Sequence, residues 1–291
     1  MIKNKKIYEI VWLSDELDLL DLRFHELYDY IDKWIIVEYP MDYARNQRPL
    51  YYNENKERFK EFEDKIIHVI DNNNYDNRAS LGLLWERKKS PLVKNALLDL
   101  KPDDYLITND GDCLLTKHIF ENFDPAKLYS FCVGWFLWYY NCRTPDAVFN
   151  WGQAAPFKYY DDNMMVKQKD IPPVEYIGDV QLGGKEAGYH FCKCGTPESI
   201  SVHLRGHPHQ DLVRDPSITD IEKIKERMEN GYGWTDVSMG KAGKDWRWPI
   251  LPIDISIYPE YLQQNPQIFR KYFSYKNGIK NTMGLKEWEK E

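Results

Sequence analysis

Apolar and polar positions along the first half of the chain switch between two periods. Ile7–Leu13 is a dense run rich in Ile, Val, Tyr and Trp, as a strand buried on both faces requires. Ser14 or Asp15 then offers a side-chain oxygen to cap a helix. Leu17, Leu20, Phe24, Leu27, Tyr28 and Ile31 recur at helical spacing with Asp, Glu and Arg between them, which predicts an amphipathic helix over residues 16–31. Trp34–Glu38 and Lys65–Ile70 read as the second and third strands, with a polar helix over Asn53–Phe62 between them. A turn-rich stretch from Asn72 to Ser80 leads into a helix over Leu81–Leu100, which Pro91 must start, kink or divide. Asp104–Thr108 is a fourth strand, followed at once by Asn109-Asp110-Gly111-Asp112.

Strands that alternate with helices predict an α/β fold, with a mainly parallel sheet and helices on both faces. In such sheets ligands gather beyond the carboxyl ends of the strands. Glu38, Asp110 and Asp112 all fall at such ends, so residues 1–125 are expected to form a nucleotide-binding half. From Leu128 the pattern changes. Leu128–Val133 and Trp135–Asn141 read as strands joined at Gly134, and Gln153–Gln168 as strand or loop. Gly183-Gly184 marks a turn, and Tyr189–Cys194 a further strand. Thr196-Pro197-Glu198 opens a helix with Thr196 as cap, and Asp220–Asn230 is another helix with Thr219 as cap. The aromatic, Pro-containing end from Pro249 suits a wrap over a core. With no repeat and no low-complexity linker, residues 1–291 read as one domain whose residues 126–291 form an α+β half on the acceptor side.

Hydrophobic residues make up 43% of the chain, enough for a real core, and the 21 Tyr and 10 Trp supply flat surfaces of the kind sugars and bases stack on. The net charge of −7 repels a phosphate backbone and disfavours general nucleic-acid binding, while leaving room for a local pocket for a diphosphate. The 5 cysteines do not make a disulfide framework, the start lacks a signal-peptide core, and no apolar run is long enough to span a bilayer. These features predict a cytoplasmic protein without a membrane span.

The sharpest chemical signal is Asn109-Asp110-Gly111-Asp112. Two carboxylates two residues apart, just past an apolar strand, can face Mn²⁺ or Mg²⁺, which prefer oxygen ligands and pair with a diphosphate. Asp and Gly also simply make turns. His190, His203, His207 and His209, with Cys192 and Cys194, invite a zinc reading, but the spacing departs from the usual Cys-x2-Cys knuckle. His190 as a single extra metal or phosphate ligand is the better reading. Glu198 is either a first-turn carboxylate favoured by the helix dipole or a general base. Glu38, Arg48, Arg87 and Lys94 are candidates for donor contacts, each with a solvated surface charge as the alternative.

Taken in order, these segments resemble glycosyltransferase family 17, the bisecting N-acetylglucosaminyltransferases. The resemblance runs through Glu16-Leu-Asp-Leu-Leu-Asp-Leu-Arg23, Glu26-Leu-Tyr28, Ile36-Val-Glu38, Arg48-Pro-Leu50, Lys65-Ile-Ile-His-Val69 and Pro102-Asp-Asp104 into Asp110-Gly-Asp112. It resumes at Gly188-Tyr-His190, Thr196-Pro-Glu198 and Gly231-Tyr-Gly-Trp234. It implies a GT-A-like fold, a divalent cation (Mn²⁺ or Mg²⁺) and inverting transfer from a uridine-diphosphate sugar to a glycan or small-molecule acceptor. Asp110, Asp112 and His190 become the metal ligands, Glu38, Arg48, Arg87 and Asp110 the donor contacts, and Glu198 the base. The family continues its Asp-x-Asp with Glu-Ile-Pro, whereas this chain has Cys113-Leu114-Leu115, which removes a carboxylate beside the metal. Tyr189 stands in place of a Trp. With no anchor in view, a bacterial or viral relative is expected. The competing readings are a nucleotide-sugar-binding protein without turnover, a nucleotidyltransferase, and a phage DNA-base glycosyltransferase.

Overall fold

The computed structural model describes residues 5–73, 75, 81–121, 128–161, 174–177, 187–235, 248–279 and 288. Strand β1 (Ile7–Trp12) lies at the centre of a parallel group, between β2 (Lys33–Glu38) and β4 (Tyr105–Asp110), with β3 (Ile66–Ile70) outside β2. Their dense apolar sequences follow from burial on both faces. Val11, Trp34, Ile36 and Ile107 face one core, and Tyr8, Ile10, Ile35, Val37 and Leu106 the other. Helix α1 (Leu17–Leu27) covers the first face with Leu20, Phe24 and Leu27. On the same face Phe59 and Phe62 pack from a 3₁₀ stretch, Lys56–Lys65, that follows the short α2 (Tyr51–Glu54). The long helix expected before β4 is two, α3 (Leu81–Lys88) and α4 (Pro91–Ala96). Pro91 sits at the first position of α4, where its missing N–H costs nothing. Val93 and Leu97 cover the second face.

The sheet continues beyond this group. A short β5 (Cys113–Leu115) and α5 (His118–Glu121) follow β4. Then come β6 (Leu128–Leu137), β7 (Arg143–Pro156), β8 (Val174–Ile177) and β9 (Gly188–Cys192). The strand order is β3-β2-β1-β4-β7-β6-β9-β5, with β8 on β6. Five pairings are parallel and three antiparallel (β4·β7, β6·β7 and β5·β9). The α/β class with a mainly parallel sheet flanked by helices is therefore borne out, and the antiparallel β7 bridges the two halves of the sheet.

Local expectations fared unevenly. Gly134 does not divide two strands; it lies inside β6, where the register against β7 shifts between Gly134 and Phe136. A glycine in a strand marked an irregularity rather than an end. Thr196 does cap α6 (Pro197–Arg205), accepting from the Ser199 N–H at 3.3 Å. Helix α7 (Ile221–Asn230) is capped by Asp220, not Thr219, and ends on the left-handed Gly231. A Cβ at Gly231 would stand 2.1 Å from the Trp248 carbonyl. Beyond it, α8 (Glu260–Gln264) and α9 (Pro266–Phe269) bring Leu262, Phe269 and Phe273 against Leu19 and Leu22 of α1. The expected turn at Gly183-Gly184, much of the Asn72–Ser80 connection and the end of Gln153–Gln168 lie outside the described residues.

One buried ion pair joins sheet and helix. Glu9 on β1 and Arg23 on α1 are both fully buried and bonded to each other, and Trp34 Nε1 donates to Glu9 at 2.9 Å. Arg23 also donates to the carbonyls of Asp110 and Gly111, each at 3.2 Å, and to that of Cys113. Removing one partner of such a pair leaves a buried charge, so Arg23→Met is expected to cost about 3–5 kcal/mol of unfolding free energy. Adding Glu9→Gln should recover part of that loss. Urea denaturation of the two variants checks both expectations, and a single variant no less stable than the double would contradict them.

Candidate active site

The site is built where β1 and β4 end side by side, Trp12 opposite Asp110. The turn after β4 is held from several directions. Gly111 N–H donates to the Trp12 carbonyl at 3.2 Å, Asn109 Nδ2 to the Cys113 carbonyl at 3.3 Å, and Phe191 N–H to the Asp112 carbonyl at 2.9 Å. Arg23 gathers the three carbonyls from beneath. Gly111 is required by close approach: a Cβ there would lie 2.8 Å from Glu16 Oε2 and 3.1 Å from the Trp12 carbonyl.

Held in this way, Asp112 meets His190. Strand β9 pairs with β5 through Cys113 and His190, and with β6 through Trp135 and His190. His190 Nε2 therefore stands 3.1 Å from Asp112 Oδ2, with the imidazole stacked on Trp135 at 6.0 Å. Against burial, which pushes it up, His190 holds the Asp112 carboxyl down at about 2. Against burial, which pushes it down, Asp112 raises His190 to about 10. Single ligand atoms of Asp112, Cys113 and His190 lie within 4.8 Å of one another. Burial lifts the Cys113 thiol well above its usual range, so it stays a thiol and makes a poor metal ligand. The carboxylate and the imidazole are the groups fit to hold a cation. Asp110 is half-buried at the end of β4, and its charge is felt on both sides: beside the larger effect of burial it raises the Tyr43 hydroxyl and the Cys113 thiol.

Asp112 opens on a cavity of about 210 Å³. Asp15 and Glu16 from the β1–α1 connection, Lys193, Ser199 and His203 from the β9–α6 region, and Lys271 from the C-terminal segment complete its polar lining. Lys193 has a left-handed backbone, φ 53°, where the chain leaves β9 and turns into α6. Tyr140 and Tyr272 line the cavity with rings stacked at 4.7 Å, and Lys271 Nζ pairs with Asp18 at 2.6 Å. Glu16 Oε2 accepts from the Ser14 and Asp15 N–H groups at 2.9 and 3.1 Å. Burial, then the nearby Asp15, raise the Glu16 carboxyl to about 7. Of Asp15, Glu16, Lys193, His203 and Lys271, only His203 drew attention as a candidate ligand in the sequence, and there as part of a zinc reading. The Ser14-Asp15-Glu16 run reads as an ordinary helix cap, and the others depend on long-range packing.

Four expected site residues have other work. Glu38 is buried and accepts from the Tyr52 and Asn53 N–H groups at 2.9 and 3.0 Å and from His68 at 2.8 Å; it holds α2 and does not face a donor. Arg87 is buried, stacked on Tyr39 and Tyr43, and donates to the Met41 and Asp42 carbonyls. Arg48 ties the Leu13 carbonyl, the Ser14 hydroxyl and the Tyr39 carbonyl at 3.0, 2.9 and 2.8 Å, and so shapes the connection after β1. Glu198 is exposed on the first turn of α6 and influences Lys225 on α7, while Thr196, Ser199, Ile200 and His203 present the cavity face of that helix. That placement sets it outside the lining of the cavity that Asp112 opens on. Lys94, half-buried in α4, is likewise absent from the cavity lining.

Comparison with known proteins bears out the resemblance read from the motifs. The model of Glycosyltransferase family 17 matches residues 1–126. A beta-1,4-mannosyl-glycoprotein 4-beta-N-acetylglucosaminyltransferase of Rattus norvegicus is 27% identical over 302 residues, which cover 91% of this chain and 54% of that protein. Proteins of the same name from Mus musculus and Homo sapiens are 26% and 27% identical. The chain thus spans about half the length of the curated relatives it matches. Among solved structures, a mannosyltransferase from Pyrobaculum calidifontis in complex with GDP-Man and Mn²⁺ aligns with a TM-score of 0.33 and 11% identity over 53% of this chain and 45% of that one, an overlap too slight to bear on the site. The expectation of a cytoplasmic protein of bacterial or viral kind is corrected by these relatives, which are mammalian and named for a glycoprotein substrate. Among the described residues no helix is long and apolar enough to cross a membrane.

Because Gly111 has Glu16 and Trp12 against it, Gly111→Ala must push the Glu16 carboxylate aside and crowd the turn against the Trp12 carbonyl. Displacing the support of a ligand weakens metal binding by about 10- to 100-fold. Mn²⁺ titration of Gly111→Ala should show a loss of that size with an unchanged far-UV spectrum; wild-type affinity would refute the assigned geometry.

Proposed function

Starting from the match of residues 1–126 to glycosyltransferase family 17, we propose that the protein is an N-acetylglucosaminyltransferase-type enzyme that takes its sugar from a nucleoside diphosphate, uridine favoured, and delivers it with inversion to a hydroxyl of a glycan. The observation that carries this reading is the cavity at the ends of β1 and β4, lined by Asp112, Lys193, His203 and Lys271, with His190 bonded to Asp112 behind it. A nucleotide sugar presents a diphosphate, which needs both a cation and positive side chains around its oxygens. Asp112 and His190, with Asp110 at the end of β4, are the residues that would hold Mn²⁺ or Mg²⁺. A cation bound there supplies charge neutralisation for the departing diphosphate. Lys193 and Lys271 add positive charge to the same lining, where the N-terminal end of α6 also lies. Inverting transfer requires in-line attack, so the acceptor hydroxyl must approach the sugar from the side away from that diphosphate.

The names of the mammalian relatives suggest a β-mannosyl unit as acceptor and N-acetylglucosamine as the transferred sugar. The Cys113-Leu114-Leu115 departure supports retention of function rather than loss. These residues form the buried β5, and Cys113 contributes its carbonyl to Arg23, so the change alters the core beneath the turn and leaves Asp112 on the cavity.

A ligand that binds only the folded state at a hundredfold excess over Kd adds about 2.7 kcal/mol, roughly 5 °C in Tm for a chain of this size. UDP-GlcNAc with Mn²⁺ is expected to produce that shift and Asp112→Asn to abolish it. On a β-mannoside acceptor the released product should be UDP; pyrophosphate would indicate a nucleotidyltransferase, and binding without turnover a sugar-nucleotide carrier. Loss of a general base costs about 10²–10⁴ in rate. Glu198→Gln should leave kcat close to wild type, and a fall of that size would restore Glu198 as the base.

A further inference from the structure

In the same cavity as Asp112, three ligand-bearing side chains converge from two elements far apart in sequence. Asp15 and Glu16 arrive from the connection after β1, and His203 from the last turn of α6. One ligand atom from each lies within 4.8 Å of the others. Asp15 Oδ1 and His203 Nδ1 stand 3.5 Å apart, a spacing long for a hydrogen bond. Ligand bonds of roughly 2.0–2.2 Å place neighbouring donor atoms of a tetrahedral or octahedral cation roughly 3.0–3.5 Å apart.

The three residues are half-buried, so they are reachable through the cavity yet screened from bulk solvent. Two of the cations nearby, Arg48 and Lys193, have further contacts of their own. Arg48 bonds Leu13, Ser14 and Tyr39, and Lys193 Nζ lies 3.1 Å from Cys192 Sγ and 4.5 Å from the Trp234 ring centre. Gly111 leaves room for Glu16 against the Asp110–Asp112 turn, so the two groups of ligands are neighbours in one cavity. Tyr140, fully buried in the lining of the same cavity, has a hydroxyl with no hydrogen-bond partner among the described residues.

We propose that Asp15, Glu16 and His203 form a second divalent-cation site, distinct from Asp112 and His190, that takes a transition-metal ion through two carboxylates and one imidazole. That mixed oxygen and nitrogen set suits Mn²⁺ or Zn²⁺ better than Mg²⁺ or Ca²⁺. An ion there ties α6 to the connection after β1, closing one end of the cavity. The site does not rest on the transfer reaction; it rests on ligand geometry alone.

The test is Mn²⁺ binding to the metal-stripped full chain, counted by electron paramagnetic resonance. Wild type should bind two ions, Asp15→Asn and His203→Gln one each, and Asp112→Asn one. A single ion lost in Asp112→Asn and retained in both other variants would overturn the second site and leave the first standing. A single ion lost in Asp15→Asn and His203→Gln but kept in Asp112→Asn would uphold the second site and overturn the first. No binding by wild type would overturn both. Mn²⁺-soaked wild-type crystals provide a measure independent of how the variants fold: an anomalous peak between Asp15, Glu16 and His203 is expected, and a peak at Asp112 and His190 alone would refute the proposal.

Discussion

The buried guanidinium of Arg23 organises both the fold and the cavity. It emerges from α1, meets Glu9 in the middle of β1 and closes on three carbonyls of the turn after β4. A fully buried ion pair is a poor source of net stability, because desolvation offsets most of the attraction. Its value here lies in geometry. Carbonyl oxygens that turn toward a fixed cation fix the peptide planes of residues 110 to 113, and those planes decide where the Asp110 and Asp112 side chains leave the backbone. An apolar replacement of similar volume would fill the space but would not direct the turn. Trp34 Nε1 completes the arrangement by holding the second oxygen of Glu9.

From that anchor the rest of the site follows through sheet pairing. Strand β5 is only three residues long, yet it places Cys113 opposite His190, and the neighbouring pairing to β6 places Trp135 against the same histidine. The imidazole is therefore fixed by backbone ladders on both sides before any side-chain bond forms. On the next face of β9, Tyr189 and Phe191 continue as a stack through Tyr140 to Tyr272, with neighbouring centroids 5.4, 3.9 and 4.7 Å apart. This column couples the C-terminal segment to the cavity wall, and the Tyr272 hydroxyl reaches Asp18 on α1 at 2.7 Å. Removal of the C-terminal wrap would therefore uncover both α1 and the site.

What was legible in the sequence was local or periodic. The four parallel strands announced themselves by dense apolar runs, Pro91 by its inability to continue a helix, and Thr196 by the Thr-Pro-Glu start. Asp112 and His190 were found as candidate ligands and do meet. The failures share a cause: they concern partners distant in sequence. Glu38 sits at the end of a strand, where a ligand contact is a fair expectation, but α2 supplies two N–H groups that claim it first. Arg87 looks like an exposed cation until Tyr39 and Tyr43 are placed around it. Glu198 shares a motif with useful residues but occupies the outer face of its helix, roughly 100° from a neighbour that faces the cavity. One signal was available and unused. Glu9, a lone acid inside a strand buried on both faces, demands a buried cation, and Arg23 is a natural partner on the helix that follows.

The electrostatics of the cavity explain why its two walls depend on each other. Asp112 is kept ionised by His190, while Asp15 is held below the usual carboxylate range by His203, in each case against the effect of burial. His190, raised to about 10, therefore carries positive charge as long as Asp112 has no other cation, and Asp15 raises His203 in the same sense against burial. When a metal ion replaces a proton at an imidazole, the local charge rises by one and the second carboxylate oxygen is freed to turn. The effect would reach Glu16 as well, since Asp15 and Asp112 both raise its carboxyl. A cavity arranged in this way is close to neutral when empty of phosphate and becomes positive as cations enter. A diphosphate is then attracted at the point where its charge has to be stabilised, and an acidic chain of net charge −7 can bind an anionic donor without a broad basic surface.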